Sequence, residues 1–157
     1  MGAFADAFVR FRQKAMANAD KALQAGVMAM AHEAITRTPV DTGTLANSWT
    51  VTSGHDPMDY YPTTKGIQPL PTKLDAAIKT MSALEPYYYF GNATPYAPDV
   101  EFYGGSIYAP EPRGTTTFEH SAKSRGKSGA SPKLMLSSAW PLFVPAVEAE
   151  AEKLGKE

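Results

Sequence analysis

The chain has 157 residues, 43% of them hydrophobic and 20% charged, with a formal net charge of -1 and no cysteine. That length suits one domain, and the hydrophobic content is well above that of disordered chains. Near-neutral charge excludes a global field that would draw the whole molecule onto DNA or an anionic membrane, and the lack of thiols excludes disulfides, cysteine nucleophiles and thiolate zinc sites. The opening MGAFADAFVRFRQK lacks the apolar core and cleavage site of a signal peptide, and no apolar run approaches the roughly 18 residues of a spanning helix.

From Ala3 to about Thr36, the residues Phe4, Phe8, Phe11, Ala15, Ala19, Ala22 or Leu23, Val27 and Met30 recur at steps of three and four. This draws one stripe down a long helix. Asp6, Arg10, Lys14, Asp20 and Lys21 mark its polar face, and Gly26 is a weak point, costing ~1 kcal/mol relative to alanine, where a bend has room to form. Pro39 ends the helix, because the residue before a proline is pushed out of the α region.

Trp49 is followed by Thr50-Val51-Thr52, a short strand of β-favouring residues. Gly54 to Pro71 is rich in Pro, Gly, Asp and Thr and reads as an exposed excursion. Thr72 is placed to cap a helix from Lys73 to about Leu84, with Leu74, Ala77, Ile78 and Met81 on one face, and Pro86 stops it. Tyr87 to Phe90 is the densest strand signal, closed by Gly91-Asn92. YAPDVEFYGG predicts a short helix with Tyr96, Val100 and Tyr103 on one side. Ser106 to Pro132 has little periodicity and reads as a long arm. The chain then closes in a second amphipathic helix marked by Leu136, Trp140, Phe143, Val144, Val147 and Leu154, which Pro141 and Pro145 must start or kink.

Two stretches and the histidines are the candidates for chemistry. Asp41-Thr42-Gly43 is the tripeptide on which aspartic proteases mount a carboxylate. Such an enzyme needs a second Asp from a symmetry mate, an apolar strand leading into the motif and a β-rich body. Here a long helix and Arg37-Thr38-Pro39-Val40 lead in instead. A structural reading fits better: Asp41 or Thr42 caps a helical turn, Gly43 allows a tight backbone path, and Leu45 and Trp49 pack inward. His32, His55 and His120 have no metal-ligand spacing, and no nucleotide-binding or serine-nucleophile motif occurs. Finally, HSAKSRGKSGASPK carries Lys123, Arg125, Lys127 and Lys133 without an acid. It can meet phosphates, stay solvated, or order against a neighbouring subunit, where Arg113 and Arg125 could pair with acids.

Three pieces in order carry a resemblance: a long helix running into T-P-V-D-T-G-T-L-A-N-S-W, an aromatic strand closed by G-N-A-T-P-Y-A-P-D-V-E-F-Y-G, and S-P-K-L-M-L-S-S-A-W-P-L-F-V-P-A-V leading into a charged helix. The order resembles the tail-completion, or neck, proteins of long-tailed double-stranded DNA bacteriophages, which include the lambda-type minor tail protein Z group. The matching positions are Pro39, Val40, Asp41, Thr42, Gly43, Leu45 and Ser48, then Asn92, Tyr96, Ala97, Glu101 and Gly104. Phe102-Tyr103 before the Gly pair and the stretch from Gly54 to Pro71 depart from the family pattern.

The resemblance implies an α+β fold, with long N- and C-terminal helices packed on a small, mostly antiparallel sheet. It is read as a single domain over 1–157 with a flexible arm at 104–133. It further implies a non-enzymatic virion protein without cofactor or metal, made in the host cytoplasm. That protein forms a homo-oligomeric ring of six at the head–tail junction, meets connector or tail-terminator proteins, and lets DNA through. A tail terminator or head-closure adaptor follows the same physical logic, and a protease using Asp41 is the distant alternative. The tyrosine-rich segments suit subunit interfaces as well as ordinary core.

Overall fold

The computed structural model describes residues 2–39, 43–54, 70–103 and 135–156. In chain order these form α1 (Ala3–Arg37), α2 (Thr44–Asn47), β1 (Trp49–Ser53), α3 (Thr72–Lys79), β2 (Tyr88–Asn92), α4 (Ala97–Tyr103) and α5 (Met135–Ala139). A 3₁₀ turn at Trp140–Leu142 then leads into α6 (Phe143–Leu154). The fold is α+β. Its sheet has two antiparallel strands, with Trp49 opposite Asn92, Val51 opposite Phe90 and Ser53 opposite Tyr88. An isolated pair of strands is marginal in water, so the helices packed on it supply the stability.

The core forms where the second half of α1 meets the rest. Val27, Met30, Ala31, Ala34 and Ile35 pack with Leu45, Trp49, Val51, Leu74, Ile78, Val100, Met135 and Ala139. Burying each large aliphatic chain here contributes roughly 1.5–3 kcal/mol. Trp49 lies flat on Phe90, with ring centroids 5.2 Å apart and planes 12° from parallel. Strand alternation places Trp49 and Val51 inward and Thr50 and Thr52 at the rim.

Gly26 does not break α1, which runs unbroken from Ala3 to Arg37. The glycine is where α6 comes closest: a Cβ there would lie 2.5 Å from Cγ2 of Val147 and 2.8 Å from the Phe143 ring. The expected weak point is a helix–helix contact that only hydrogen accommodates.

The predicted helix from Lys73 to Leu84 is shorter, ending at Lys79, and Thr72 is its first residue rather than its cap. The reason is tertiary. Gln24 of α1 donates from Nε2 to the carbonyls of Lys79 (3.3 Å) and Met81 (2.9 Å). Asp20 accepts from Ser82 Oγ (3.1 Å) and the Ala83 amide (2.6 Å). These bonds take the place of another helical turn, leaving Leu84 exposed. Asp20, assigned to a solvated face, is therefore a tether.

The C-terminal stripe also needs correction. Met135, Ala139 and Leu154 are buried and Phe143 and Val147 partly so, but Trp140 and Val144 face outward. The 3₁₀ turn containing Pro141 tightens the helix to about three residues per turn and shifts the phase between α5 and α6. Pro145 sits in the first turn of α6, where a missing amide proton costs nothing. The excursion at 55–69 and the arm at 104–133 lie outside the described residues.

Candidate functional site

The positions singled out by sequence motif converge on one interior network rather than on a cleft. Thr38, the residue after α1, is buried and donates from Oγ1 to the Ala34 carbonyl (2.6 Å). The same oxygen accepts from Trp49 Nε1 (2.9 Å). This satisfies the indole proton inside the core, where leaving it unpaired would cost on the order of 1–3 kcal/mol. Thr38 has an extended backbone and Pro39 follows, so the helix stops as expected.

Gly43 occupies the position before α2 with φ 90°, in the left-handed region. A side chain there costs about 1–2 kcal/mol, so the glycine of the D-T-G tripeptide has a backbone reason. Leu45 and Trp49 are both buried, as their spacing predicted. Ser48 is fully buried and returns its hydroxyl to the Thr44 carbonyl (2.7 Å). Val40, Asp41 and Thr42 lie outside the described residues, so the predicted cap at Asp41 or Thr42 lies outside them too.

Asn92, last residue of β2, joins the second motif to the first. Its Nδ2 donates to the Leu45 carbonyl (2.7 Å), while its Oδ1 accepts from the Thr94 amide (3.0 Å). The second bond turns the chain out of the strand, an Asx turn, and the Ala97 amide then bonds to the Thr94 carbonyl (2.9 Å) to open α4. Ala97 is buried and Tyr96 half-buried against the core.

Glu101 has the most consequential placement. Buried on α4, its carboxylate accepts from the Leu136 amide (3.1 Å), the Ser137 amide (2.9 Å) and the Ser137 hydroxyl (2.8 Å). These amides belong to the first turn of α5, whose protons have no partner within the helix. The negative charge also sits at the positive end of the helix dipole. Glu101 therefore pins the C-terminal helical segment to α4. An acid buried next to an apolar helix reads in sequence as an isolated carboxylate; the signal that could have found it is its place in the motif, three residues ahead of a glycine pair.

Gly104 and the cations Arg113, Lys123, Arg125, Lys127 and Lys133 lie outside the described residues. Among the described residues, no cluster of His, Asp and Glu is arranged to hold a metal ion, and no helix is long and apolar enough to cross a membrane. A wide, open groove of about 540 Å³ runs between the sheet end and the C-terminal segment. Tyr87, Tyr89, Phe90, Leu136, Trp140 and Phe143 line it, together with Glu85.

What this arrangement can do chemically is limited. The bonded polar atoms of the motifs are spent on backbone groups and on one another, which makes the motifs joints of the fold. A protein-family model described as "Bacteriophage HK97-gp10, putative tail-component" matches residues 2–102. The match covers α1 through nearly all of α4, hence the first motif and the second except Gly104, and stops before the C-terminal segment that Glu101 holds. No curated protein and no solved structure shows a significant match.

Proposed function

The chain belongs to the HK97-gp10-like family of bacteriophage tail components, and from that premise we propose that it is a tail-completion, or neck, protein akin to the lambda-type minor tail protein Z group. In this reading it is a single-domain, non-enzymatic subunit of a ring, a hexamer, at the head–tail junction. The ring completes the tail, meets the capsid connector or tail-terminator proteins, and passes DNA. The observation that carries the reading is the family match over 2–102, whose motif residues knit α1, the sheet, α4 and α5 together. A protease at Asp41 has only its three letters in support.

The test is a particle in which the chain carries a small electron-dense label, imaged by cryo-electron microscopy alongside particles made without the chain. Label at the junction, with heads and finished tails accumulating separately when the chain is missing, is the expected result. Label along the tail tube or at its tip removes the neck assignment while leaving the family intact.

In the same reading, the arm reaches the adjacent subunit or ring. Deleting Ser121 to Gly129 should leave a subunit that melts like the parent yet yields few infectious particles. Normal yield would remove the arm from assembly.

A further inference from the structure

The apolar stripe of α1 has two halves with opposite fates. From Ala22 onward it packs against α3, the α5–α6 segment and the core side chains Trp49 and Val51 of β1, but every residue from Ala3 to Ala15 is exposed. Phe4, Phe8 and Phe11 are 84%, 58% and 70% exposed. Their i, i+4, i+7 spacing puts three phenyl rings on one side of a projecting helix. At ~1.5 Å per residue the bare segment extends about 20 Å beyond the body.

The groove is the converse feature. Trp140 is 65% exposed and stacks on Phe143 at 6.1 Å, while Tyr87 and Tyr89, which also line the groove, meet edge to face at 5.7 Å. One molecule thus displays an apolar helix without a groove and an aromatic groove without a helix. The molecule cannot join them itself: Leu23 and Val27 of α1 help form the groove wall, and Phe11 lies roughly 18 Å up the same unbroken helix from Leu23.

We propose that the projecting segment Ala3–Ala15 of one copy seats in the aromatic groove of a second copy. The mode is a helix in a groove, with Phe4, Phe8 and Phe11 as anchors. Area supports this occupant. Phenylalanine side chains bury about 150–250 Å² each, so covering three at these exposures removes on the order of 400 Å² of apolar surface, about half of the ~800 Å² per partner in a stable interface. Val9, also exposed, and the helix backbone add to it. Charge agrees: Arg10, Arg12 and Lys14 outnumber Asp6 on the projection, and the charged residue among those lining the groove is Glu85. Projection and groove are different surfaces, so the contact is head-to-tail. Repeated, such a contact closes into a ring or runs on as a filament, and reciprocal exchange between two copies is the smallest closure it allows. The inference deepens the ring proposed above and rests on that reading for closure.

The experiment uses two full-length variants. One carries Phe4→Ser, Phe8→Ser and Phe11→Ser; the other carries Tyr89→Glu and Trp140→Glu. All five side chains are exposed, so both should melt within a few degrees of the parent. By native mass spectrometry the parent should form one closed oligomer, and each variant alone should be monomeric. An equimolar mixture should give a one-to-one heterodimer and nothing larger, since it contains one competent projection and one competent groove per pair. Persistence of the oligomer in either variant, a monomeric parent, or a mixture that stays monomeric overturns the proposal.

Should a variant lose its cooperative melt, a photoreactive benzoylphenylalanine in place of Phe8 decides. Cross-links should fall at 87–90 and 140–143 of another copy; capture of another projection, of residues 104–133 or of a different protein overturns the contact. Rings that survive both variants at a labelled head–tail junction remove this interface and leave the proposed function standing. Head-to-tail exchange by a chain absent from the junction does the reverse.

Discussion

Glu101 and Gly26 carry more of the structure than their side chains announce. Replacing Glu101 with glutamine removes the charge and one acceptor while keeping the volume. Hydrogen bonds to charged groups contribute ~1.5–3 kcal/mol, and the three that Glu101 accepts are shared between two oxygens. Glu101→Gln should therefore destabilise the fold by about 1–3 kcal/mol, and Glu101→Ala by more, with amides at 135–139 losing hydrogen-exchange protection first. Equal protection in parent and variant would show that α5 is held by its apolar face alone. Gly26→Ala is a sharper case, because helix propensity and packing point in opposite directions. Alanine should gain ~1 kcal/mol in an isolated helix. The new methyl, however, meets Val147, a β-branched side chain with little rotamer freedom, and the Phe143 ring. Overpacking costs roughly 1–3 kcal/mol, so the expected net result is a lower melting temperature. A raised one would mean α6 moves aside freely. The role of Gly26 was not legible beforehand, since sequence shows a glycine's effect on its own helix and conceals the partner that helix meets more than a hundred residues later.

At the scale of elements, sequence pattern and structure agree on identity and diverge at the ends. α1, both strands, the Thr38-Pro39 stop and the inward pair Leu45 and Trp49 follow from periodicity, proline and β-propensity, which are local properties. The end of α3 does not, because Gln24 and Asp20 set it from the far side of the molecule. The outward turn of Trp140 does not either, because a single 3₁₀ turn shifts the phase that helical periodicity assumes constant. The motif network was half visible: Leu45, Ser48 and Asn92 could be picked out as motif positions, but the bonds between them require knowing that α2 and the end of β2 are neighbours. The tether is separable from the core and can be tested alone. Asp20→Ala with Gln24→Ala should raise hydrogen exchange at 79–84 by tenfold or more and cost the whole fold about 2–6 kcal/mol, since four bonds are lost at ~0.5–1.5 kcal/mol each. Unchanged exchange in this stretch would place the end of α3 under the control of its own residues. The exposed ion pairs Lys79–Asp75 and Lys156–Glu152 each contribute ~0.3–0.5 kcal/mol as i,i+4 pairs and do not alter these expectations.

At the scale of the whole molecule, the proposed passage of DNA must be reconciled with a net charge of -1. A ring that gripped DNA everywhere would resist ejection of the genome, so weak and local contact is what a conduit requires. The acid-free basic stretch from His120 to Lys133 gives a way to measure it. Each phosphate neutralised releases a counterion and adds ~0.9 to the slope of log affinity against log salt for duplex DNA. If Lys123, Arg125 and Lys127 each meet a phosphate, replacing all three with serine should lower that slope by roughly 2–3 per subunit engaged. The change should be the same for unrelated duplexes, because phosphate contacts carry no sequence information. In particles the same variant should alter genome retention or the rate of ejection without altering assembly. If instead the slope is unchanged and assembly fails, these cations belong to the subunit interface, with Arg113 and Arg125 meeting acids of a neighbour, and the lumen of the ring is lined by other residues.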